Sequence, residues 1–171
     1  MVKERENVSK EDWVARARAV IELEAQGVRG LMDQMGESVA DVVEVLYGCK
    51  GHVLVTGAGT SHAMAQRLAH LLSCCGTPAL SIHAGDFLHG ASGALRAEDV
   101  LYVISKGGRT TEINALVEIA RGRGCTVVAQ CENPDSPLAQ MSDVVYPIAA
   151  PESVDPYGMI ATGSSLINGA A

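Results

Sequence analysis

The sequence predicts an α/β fold, a three-layer αβα sandwich around a five-stranded parallel sheet, with a helical arm at its N-terminus. From residue 51 onward, short apolar runs alternate with stretches of helical spacing, the pattern of parallel βαβ units whose sheet is covered on both faces. The first 48 residues carry apolar positions at helical spacing and no strand pattern. We therefore divide the chain into an arm, residues 1–48, and one domain, residues 49–171.

The arm is predicted to contain two helices. The first begins near Ser9, a residue type that caps helices and is followed here by acidic residues, and extends to about Met35. The second covers Glu37 to Tyr47 and ends at Gly48. The apolar positions of the first helix are Trp13, Val14, Ala17, Val20, Ile21, Val28, Leu31 and Met35. Packing on a neighbouring subunit and packing on the chain's own sheet are both open for this surface.

Five apolar runs after the arm are predicted strands. They are HVLVTG (52–57), PALSIHA (78–84), VLYVISKG (100–107), CTVVAQC (125–131) and DVVYPIAA (143–150). The predicted helices between and after them are Ser61–Cys74, Thr110–Arg121, Ser136–Gln140 and one beginning near Pro156 or Tyr157. Open parallel sheets bind ligands beyond the carboxyl ends of their strands, where the strand order reverses, so the loops there are the candidate site.

Charge and hydropathy exclude several classes of partner. The chain has 13 Lys and Arg against 20 Asp and Glu, a net charge of −7, which disfavours binding to nucleic acids or to anionic membranes. It has no apolar run of the length that spans a bilayer, and its charged start lacks the apolar core of a signal peptide. We expect a cytoplasmic protein.

The cysteines point to reduced thiols rather than to a disulfide framework or a metal site. There are five of them, an odd number, and none is arranged as CxxC. No set of His, Cys or carboxylate residues has convincing metal-ligand spacing, so we expect no metal. One Trp and one Phe are too few for a base-stacking platform.

Two loops resemble the halves of one phosphate site. The first predicted strand ends in GAGTS (57–61) and the third in SKGGRTTE (105–112), and a helix follows each directly. Free amides at a helix N-terminus attract an anion. Ser61, Ser105, Thr110 and Thr111 offer hydroxyl donors, while Lys106 and Arg109 offer charge. The alternative is that these hydroxyls only cap their own helices.

A dinucleotide-binding loop fits the first turn less well. Gly57 and Gly59 copy the opening of the GxGxxG fingerprint, but the third glycine is missing. The acidic residue that would read a ribose about 20 residues later is not clearly placed either. The turn is therefore interpreted as a pocket for one phosphate.

From about residue 45 onward the sequence resembles the sugar isomerase (SIS) domain family, in particular its arabinose 5-phosphate isomerase branch. The segments that carry the resemblance are GAGTSHAMAQRLAHLLSCCGTPA (57–79), IHAGDFLHG (82–90), ISKGGRTTEI (104–113) and ENPDSPLAQMSDVVYPI (132–148), in this order. The resemblance implies a flavodoxin-like strand order, a homodimer or homotetramer, a phosphorylated sugar as ligand and no cofactor. It identifies residues 49–171 as an SIS domain without the cystathionine-β-synthase repeats of some relatives.

The resemblance also implies roles for individual residues. Ser61, Ser105 and Thr110 would hold the phosphate, and Gly107 and Gly108 would let the backbone approach it. His89 would lie at the sugar, and Glu152 would be the base in an aldose–ketose isomerisation through an enediol. The whole predicted substrate-binding set is Gly59, Thr60, Ser61, Ser105, Lys106, Gly107, Gly108, Arg109 and Thr110. A loop histidine bonded to backbone is the alternative for His89, whereas His62 and His83 are near enough in sequence to reach the pocket.

The match departs from the branch at three places. The branch usually has lysine at the position of Thr60 and glutamate at that of Arg109. It also continues through a long closing helix, which we expect to be incomplete at Ala171. A non-catalytic sensor of sugar phosphates is the alternative function, although the acidic arm does not suit a DNA-binding domain. A flavodoxin-like nucleotide or flavin site is a third interpretation, and bound flavin would make the purified protein yellow.

Overall fold

The computed structural model of the chain describes residues 9–150, 167 and 169–171. Its sheet has five parallel strands in the order β2-β1-β3-β4-β5, which confirms the predicted fold class and strand order. The strands are β1 (Val53–Gly57), β2 (Ala79–Ser81), β3 (Val100–Ile104), β4 (Thr126–Cys131) and β5 (Val144–Pro147). The helices are α1 (Lys10–Arg29), α2 (Glu37–Gly48), α3 (Thr60–Cys74), α4 (Ala84–Leu88), α5 (Thr111–Gly122) and α6 (Pro137–Gln140).

Apolar cores lie on both faces of the sheet. All five residues of β1 and of β3 are buried, because helices cover both sides of these strands. On one face α5 packs through Ile113, Leu116 and Val117, and on the other α3 packs through Ala65 and Ala69. The second face also takes up Leu31 and Val42, so the C-terminal part of the arm packs on the sheet.

The first helix starts where predicted and ends earlier. Ser9 caps α1 in a capping box with Asp12, whose amide donates to the Ser9 hydroxyl at 3.1 Å. The prediction that this helix reaches Met35 is wrong, because α1 ends at Arg29 with Gly30 as its C-cap. A short 3-10 turn, Met32–Gln34, follows, and the change of direction puts Leu31 in the core, where it is 3% exposed.

The second predicted strand is shorter than its apolar run. β2 ends at Ser81, and the chain turns through His83 into α4, a helix that the sequence analysis did not predict. Helix α4 packs on α5, with Phe87 and Leu88 against the apolar core. Its five residues are too short to show helical periodicity, and its apolar side chains follow the strand run without a break.

The strand order reverses between β1 and β3. The strands pair in register from Val53 with Val100 to Gly57 with Ile104, so their carboxyl ends lie side by side. From these ends α3 leaves to one face of the sheet and α5 to the other. The two candidate loops are therefore neighbours at the topological switch point, where such sheets bind ligands.

Among the residues that the structure describes, no helix combines the length and the apolar character needed to cross a bilayer.

Burial of weak acids predicts a loss of stability at alkaline pH. Burial raises the pKa of Tyr102, Tyr146, Cys125 and Cys131 above their ordinary values, with the charge of Tyr146 adding to the effect at Tyr102 and that of Asp99 at Cys125. Their contribution to stability is complete below the pKa of the unfolded chain and is lost as pH rises toward the folded values. We expect denaturant midpoints to fall between about pH 8 and 11.

Tyr102→Phe isolates one of these acids. The buried Tyr102 hydroxyl donates to Gln130 Oε1 at 2.9 Å, so the variant loses some stability at neutral pH. Above about pH 10 its stability should decline less steeply than that of the wild type, by up to about 1.4 kcal/mol per pH unit. Parallel stability–pH curves for the two proteins would contradict the prediction.

Candidate functional site

The loop after β1 is shaped by two glycines. A Cβ on Gly57 would lie 2.7 Å from the carbonyl carbon of Ser61, so only glycine lets the strand end pack against the first turn of α3. Gly59, the N-cap of α3, has φ +58°, in the left-handed region that favours glycine. The loop thus turns tightly from strand to helix and leaves Thr60 exposed, with Ser61 half-buried at the mouth of the turn.

The loop after β3 is fixed at Gly108 by contacts with residues at the starts of α5 and α6. Gly108 has φ +62°, and a Cβ there would lie 2.6 Å from Cβ of the buried Ser136. The carbonyl of Gly108 accepts hydrogen bonds from Leu138 N at 3.1 Å and from Asn114 Nδ2 at 3.4 Å. Contacts from α5 and α6 therefore fix the path of this loop before any ligand binds.

The helices that leave these loops start without side-chain caps. Neither Gly59 at the start of α3 nor Thr110 at the start of α5 makes a side-chain capping bond, whereas Ser9 and Ser136 do so for their helices. Within the described part of the chain, the hydroxyls of Ser61, Ser105 and Thr110 form no hydrogen bond. The alternative that Thr110 caps α5 is therefore not what the structure shows. Both helix starts have amides and hydroxyls available to an anion.

The two cations of the second loop are in different situations. Lys106 Nζ lies 3.8 Å from Glu132 Oε1, and the Glu132 amide donates to the Lys106 carbonyl at 2.9 Å. Arg109 is exposed, and no carboxylate of the described residues lies within ion-pair distance of it. Of the two cations, Arg109 has no carboxylate partner among the described residues, while Glu132 partly balances the charge of Lys106.

Sequence reasoning missed Glu132 as a member of the site. It follows β4 directly, at the same sheet edge as the loop after β3, because β3 and β4 pair from Val100 with Thr126 to Ile104 with Gln130. A carboxylate directly after a buried strand, one strand over from a cationic loop, was the available signal.

A pair of histidines lies beside the first loop. The His62 and His83 rings meet edge to face, with centroids 5.3 Å apart, and they join the first turn of α3 to the end of β2. Nδ1 of His62 is buried and has no hydrogen-bond partner in the part of the chain that the structure describes. Such a pair can bond sugar hydroxyls or pass a proton.

Of the two predicted catalytic residues, His89 and Glu152, the structure describes only His89. His89 is exposed at the C-terminal end of α4, and its amide donates to Gly85 and Asp86 in the last turn. Glu152 lies outside the described residues, as does the start of the helix predicted near Pro156 or Tyr157. The described chain leads to Ala150, whose amide donates to Glu132 Oε1 at 3.1 Å.

A cavity of about 370 Å³ lies away from these loops. It opens between α2 and α3, over the face of β3 that carries Tyr102, and its walls are mostly apolar. An apolar cavity does not suit a phosphate, so its size does not make it the candidate site. No group of three His, Cys, Asp or Glu suited to a metal ion occurs in residues 9–150 or in the described residues after them.

Comparison with known proteins identifies the family of the chain. A family model for the SIS domain matches residues 46–167. Arabinose 5-phosphate isomerase KdsD of Pseudomonas aeruginosa is 30% identical over 156 residues, which cover 91% of this chain and 48% of the relative. The chain therefore spans about half the length of the curated relatives it matches.

Two solved structures extend the comparison. A protein from Listeria monocytogenes, proposed to be a sugar-phosphate isomerase, superposes with a TM-score of 0.92 at 32% identity and covers 96% of this chain and 86% of its own. A protein of E. coli CFT073 in complex with arabinose 5-phosphate has a TM-score of 0.88 at 26% identity and covers 94% and 85%. These likenesses cover nearly the whole chain.

The two glycines of the second loop predict unequal effects of an added methyl group. Gly108→Ala places a Cβ against Ser136 in a left-handed conformation and should lower the free energy of unfolding by at least about 2 kcal/mol. Gly107→Ala is the matched control, because its Cβ meets nothing within 4 Å and its φ is ordinary. We expect it to change stability by less than about 0.5 kcal/mol in denaturant titrations. Equal effects of the two substitutions would contradict the description of the loop.

Proposed function

Because the chain belongs to the SIS domain family, we propose that it is a phosphosugar isomerase that interconverts an aldose phosphate and a ketose phosphate through an enediol. Arabinose 5-phosphate and ribulose 5-phosphate are the first pair to test, since the names of the relatives and the arabinose 5-phosphate complex point to them. The observation that carries the proposal is the pair of glycine-shaped loops with uncapped helix starts at the β1–β3 switch point.

The phosphate is proposed to lie between these two loops. Amides of Gly59 and Thr60 and of the 106–110 loop would bond its oxygens, with the hydroxyls of Ser61, Ser105 and Thr110 as further donors. Arg109 would add a bidentate charge-assisted contact. Support comes from the exposed, unpaired state of Arg109 among the described residues and from the absence of side-chain caps on α3 and α5.

Isomerisation then requires a base and a proton carrier between two oxygens. In the forward direction the base takes the proton from C2 of the aldose, O1 gains a proton, and the enediol forms. The base returns a proton to C1 while O2 loses its proton, which gives the ketose. We assign the base to Glu152 and the transfer between oxygens, or ring opening, to His89, since carboxylate and imidazole suit these roles.

The course of the chain before Glu152 supports that assignment. Ala150 is bonded to Glu132, and Glu132 pairs with Lys106 of the phosphate loop. Gln34 holds the preceding residue, because its side chain bonds both the amide and the carbonyl of Ala149, at 2.8 and 3.1 Å. The last residues described before Glu152 therefore lie beside the proposed phosphate pocket.

Thr60 and Arg109 are proposed to set the substrate preference. In the resembling branch these positions usually carry a lysine and a glutamate. This chain therefore lacks the cation of the loop after β1 and has a cation, Arg109, in the loop after β3. A guanidinium in place of a carboxylate can bind an anion but cannot act as a base, so proton abstraction is left to Glu152. The phosphate would then be bound mainly by the loop after β3.

Deuterium exchange tests the proposed reaction. Incubation with arabinose 5-phosphate in deuterated water should exchange the C2 proton and produce ribulose 5-phosphate, measured by NMR. Glu152→Gln should slow exchange by about 10²- to 10⁴-fold, because the amide cannot accept the proton. Glu98→Gln is the control, since Glu98 is exposed just before β3, at the opposite end of the strand from the loops.

The exchange measurement separates the two candidate functions. Exchange at wild-type rate in Glu152→Gln would remove the assigned base. A sugar phosphate that raises the melting temperature without any exchange would instead identify a non-catalytic sensor.

Arg109→Ala tests the phosphate contact separately from the chemistry. Loss of a charge-assisted bond of about 1.5–3 kcal/mol should weaken binding of arabinose 5-phosphate by about 10- to 150-fold in calorimetric titrations. Arg123→Ala is the matched control, because Arg123 is exposed at the far end of α5. Equal affinities of Arg109→Ala and wild type would place the phosphate elsewhere.

A further inference from the structure

The chain leaves the sheet just after β5. The Ile148 amide donates to the Cys131 carbonyl at 3.1 Å, which among the described residues is the last backbone hydrogen bond from this end of the chain to β4. The next residue, Ala149, is exposed, and Ala150 is half-buried. A methyl group in solvent buries too little area to hold a backbone in place. The path of the segment 149–150 therefore depends on polar contacts.

The side chain of Gln34 takes the place of a neighbouring strand at Ala149. Its Oε1 accepts a hydrogen bond from the Ala149 amide at 2.8 Å, and its Nε2 donates to the Ala149 carbonyl at 3.1 Å. A primary amide carries the same donor and acceptor as a peptide group, so it can bond both backbone groups of one residue. A carboxylate has no donor and a thioether is only a weak acceptor, so neither of these side chains can form both bonds.

The arm holds Gln34 in position for this contact. The Gln34 amide donates to the carbonyl of Leu31 at 2.9 Å, and Leu31 is buried in the core on the α3 face of the sheet. Nε2 of Gln34 also lies 3.4 Å from the Gly30 carbonyl. On the other side of the turn, the Tyr146 hydroxyl of β5 donates to Sδ of Met35 at 3.4 Å. The turn that carries Gln34 is thus fixed both to the core and to β5.

Glu132 fixes the next residue, Ala150, to the loop after β3. Its Oε1 accepts from the Ala150 amide at 3.1 Å and lies 3.8 Å from Nζ of Lys106. The Glu132 amide donates to the Lys106 carbonyl at 2.9 Å. Two consecutive residues are therefore bonded to two different parts of the molecule, Ala149 to the arm and Ala150 to the proposed phosphate loop.

We propose that Gln34 is a positioning residue for the isomerisation, because it fixes the backbone from which the chain continues to Glu152. This role rests on the proposed function, in which Glu152 is the base. Glu152 follows Ala150 by two residues, and two residues of chain span at most about 7 Å. A displacement of about 1 Å at a reacting group can slow a reaction about 100-fold. Gln34 acts through the backbone of Ala149 and is not itself assigned a contact with the substrate.

Gln34→Met tests this role. The variant removes both bonds to Ala149 and keeps a side chain of similar length, so kcat for arabinose 5-phosphate should fall about 10- to 100-fold. KM should change by less than about threefold, because the residues proposed to bind the phosphate are unchanged. Gln26→Met is the matched control, since the Gln26 side chain bonds the exposed Glu22 on the surface of α1. We expect this control to keep the wild-type kcat.

Gln34→Glu separates the two bonds. Its carboxylate can still accept from the Ala149 amide, but it cannot donate to the Ala149 carbonyl and places a negative charge against that oxygen. We expect kcat to fall at least as far as in Gln34→Met. A wild-type kcat in Gln34→Glu would contradict the two-bond contact.

Amide hydrogen exchange followed by NMR measures the contact without turnover. The Ala149 amide should exchange at least tenfold faster in Gln34→Met than in the wild type, because Ala149 is exposed and its amide loses its acceptor. Gln26→Met should leave this rate unchanged. Equal exchange rates in Gln34→Met and wild type would show that Gln34 does not hold the segment, and the proposed role would be wrong.

The kinetic outcomes separate this role from the proposed function. If the wild type converts arabinose 5-phosphate and Gln34→Met keeps the wild-type kcat, the role of Gln34 is wrong and the isomerase function stands. A higher KM at unchanged kcat would also overturn the role, since Gln34 would then affect binding and not the placement of the base. If the wild type neither converts arabinose 5-phosphate nor exchanges its C2 proton, the proposed function fails for this sugar and the role of Gln34 in it fails as well.

Discussion

The pairing of β1 with β3 is the constraint on which the rest of the site depends. Gly57 lies beside Ile104 in the sheet, and the helices that follow leave to opposite faces. The two strand ends therefore open onto a shared space that neither helix fills. Had β1 and β3 been separated by another strand, the same loop sequences would lie too far apart to bind one small anion. The sheet order, more than either loop, brings the two halves of the candidate site together.

The features that the sequence predicted well are those with a strong local pattern. Buried strands appear in the sequence as unbroken apolar runs. The start of α1 was predictable because Ser9 is a capping residue type and acidic residues follow it. The end of α1 was less predictable, because apolar spacing continues through Leu31 although the chain has already turned at Gly30. Helix α4 was missed, since five residues carry no measurable period.

The sequence predicted the part of the candidate site that depends on glycine-rich turns, and it did not predict the contacts between neighbouring strands. Gly59 and Gly108 adopt the left-handed conformations that glycine-rich turns suggest. The pairing of Lys106 with Glu132 and the seat of Gly108 on Ser136 are contacts between neighbouring strands, and only the three-dimensional arrangement reveals them. The charge of the loop also depends on this geometry. Glu132 partly neutralises Lys106, whereas no carboxylate of the described residues pairs with Arg109. Glu152 lies outside the described residues, so its place rests on the resemblance and on the course of the chain to Ala150.

If the proposed phosphate binds there, the absence of side-chain caps at α3 and α5 would link ligand binding to the lifetime of the protein in a cell. A missing cap costs a helix about 0.5–2 kcal/mol, and a bound dianion that accepts bonds from both helix starts would return that stability. Proteases that attack transiently opened molecules would then degrade the unliganded form faster than the liganded one. Under the proposed function, the abundance of the protein would thereby follow the supply of the sugar phosphate.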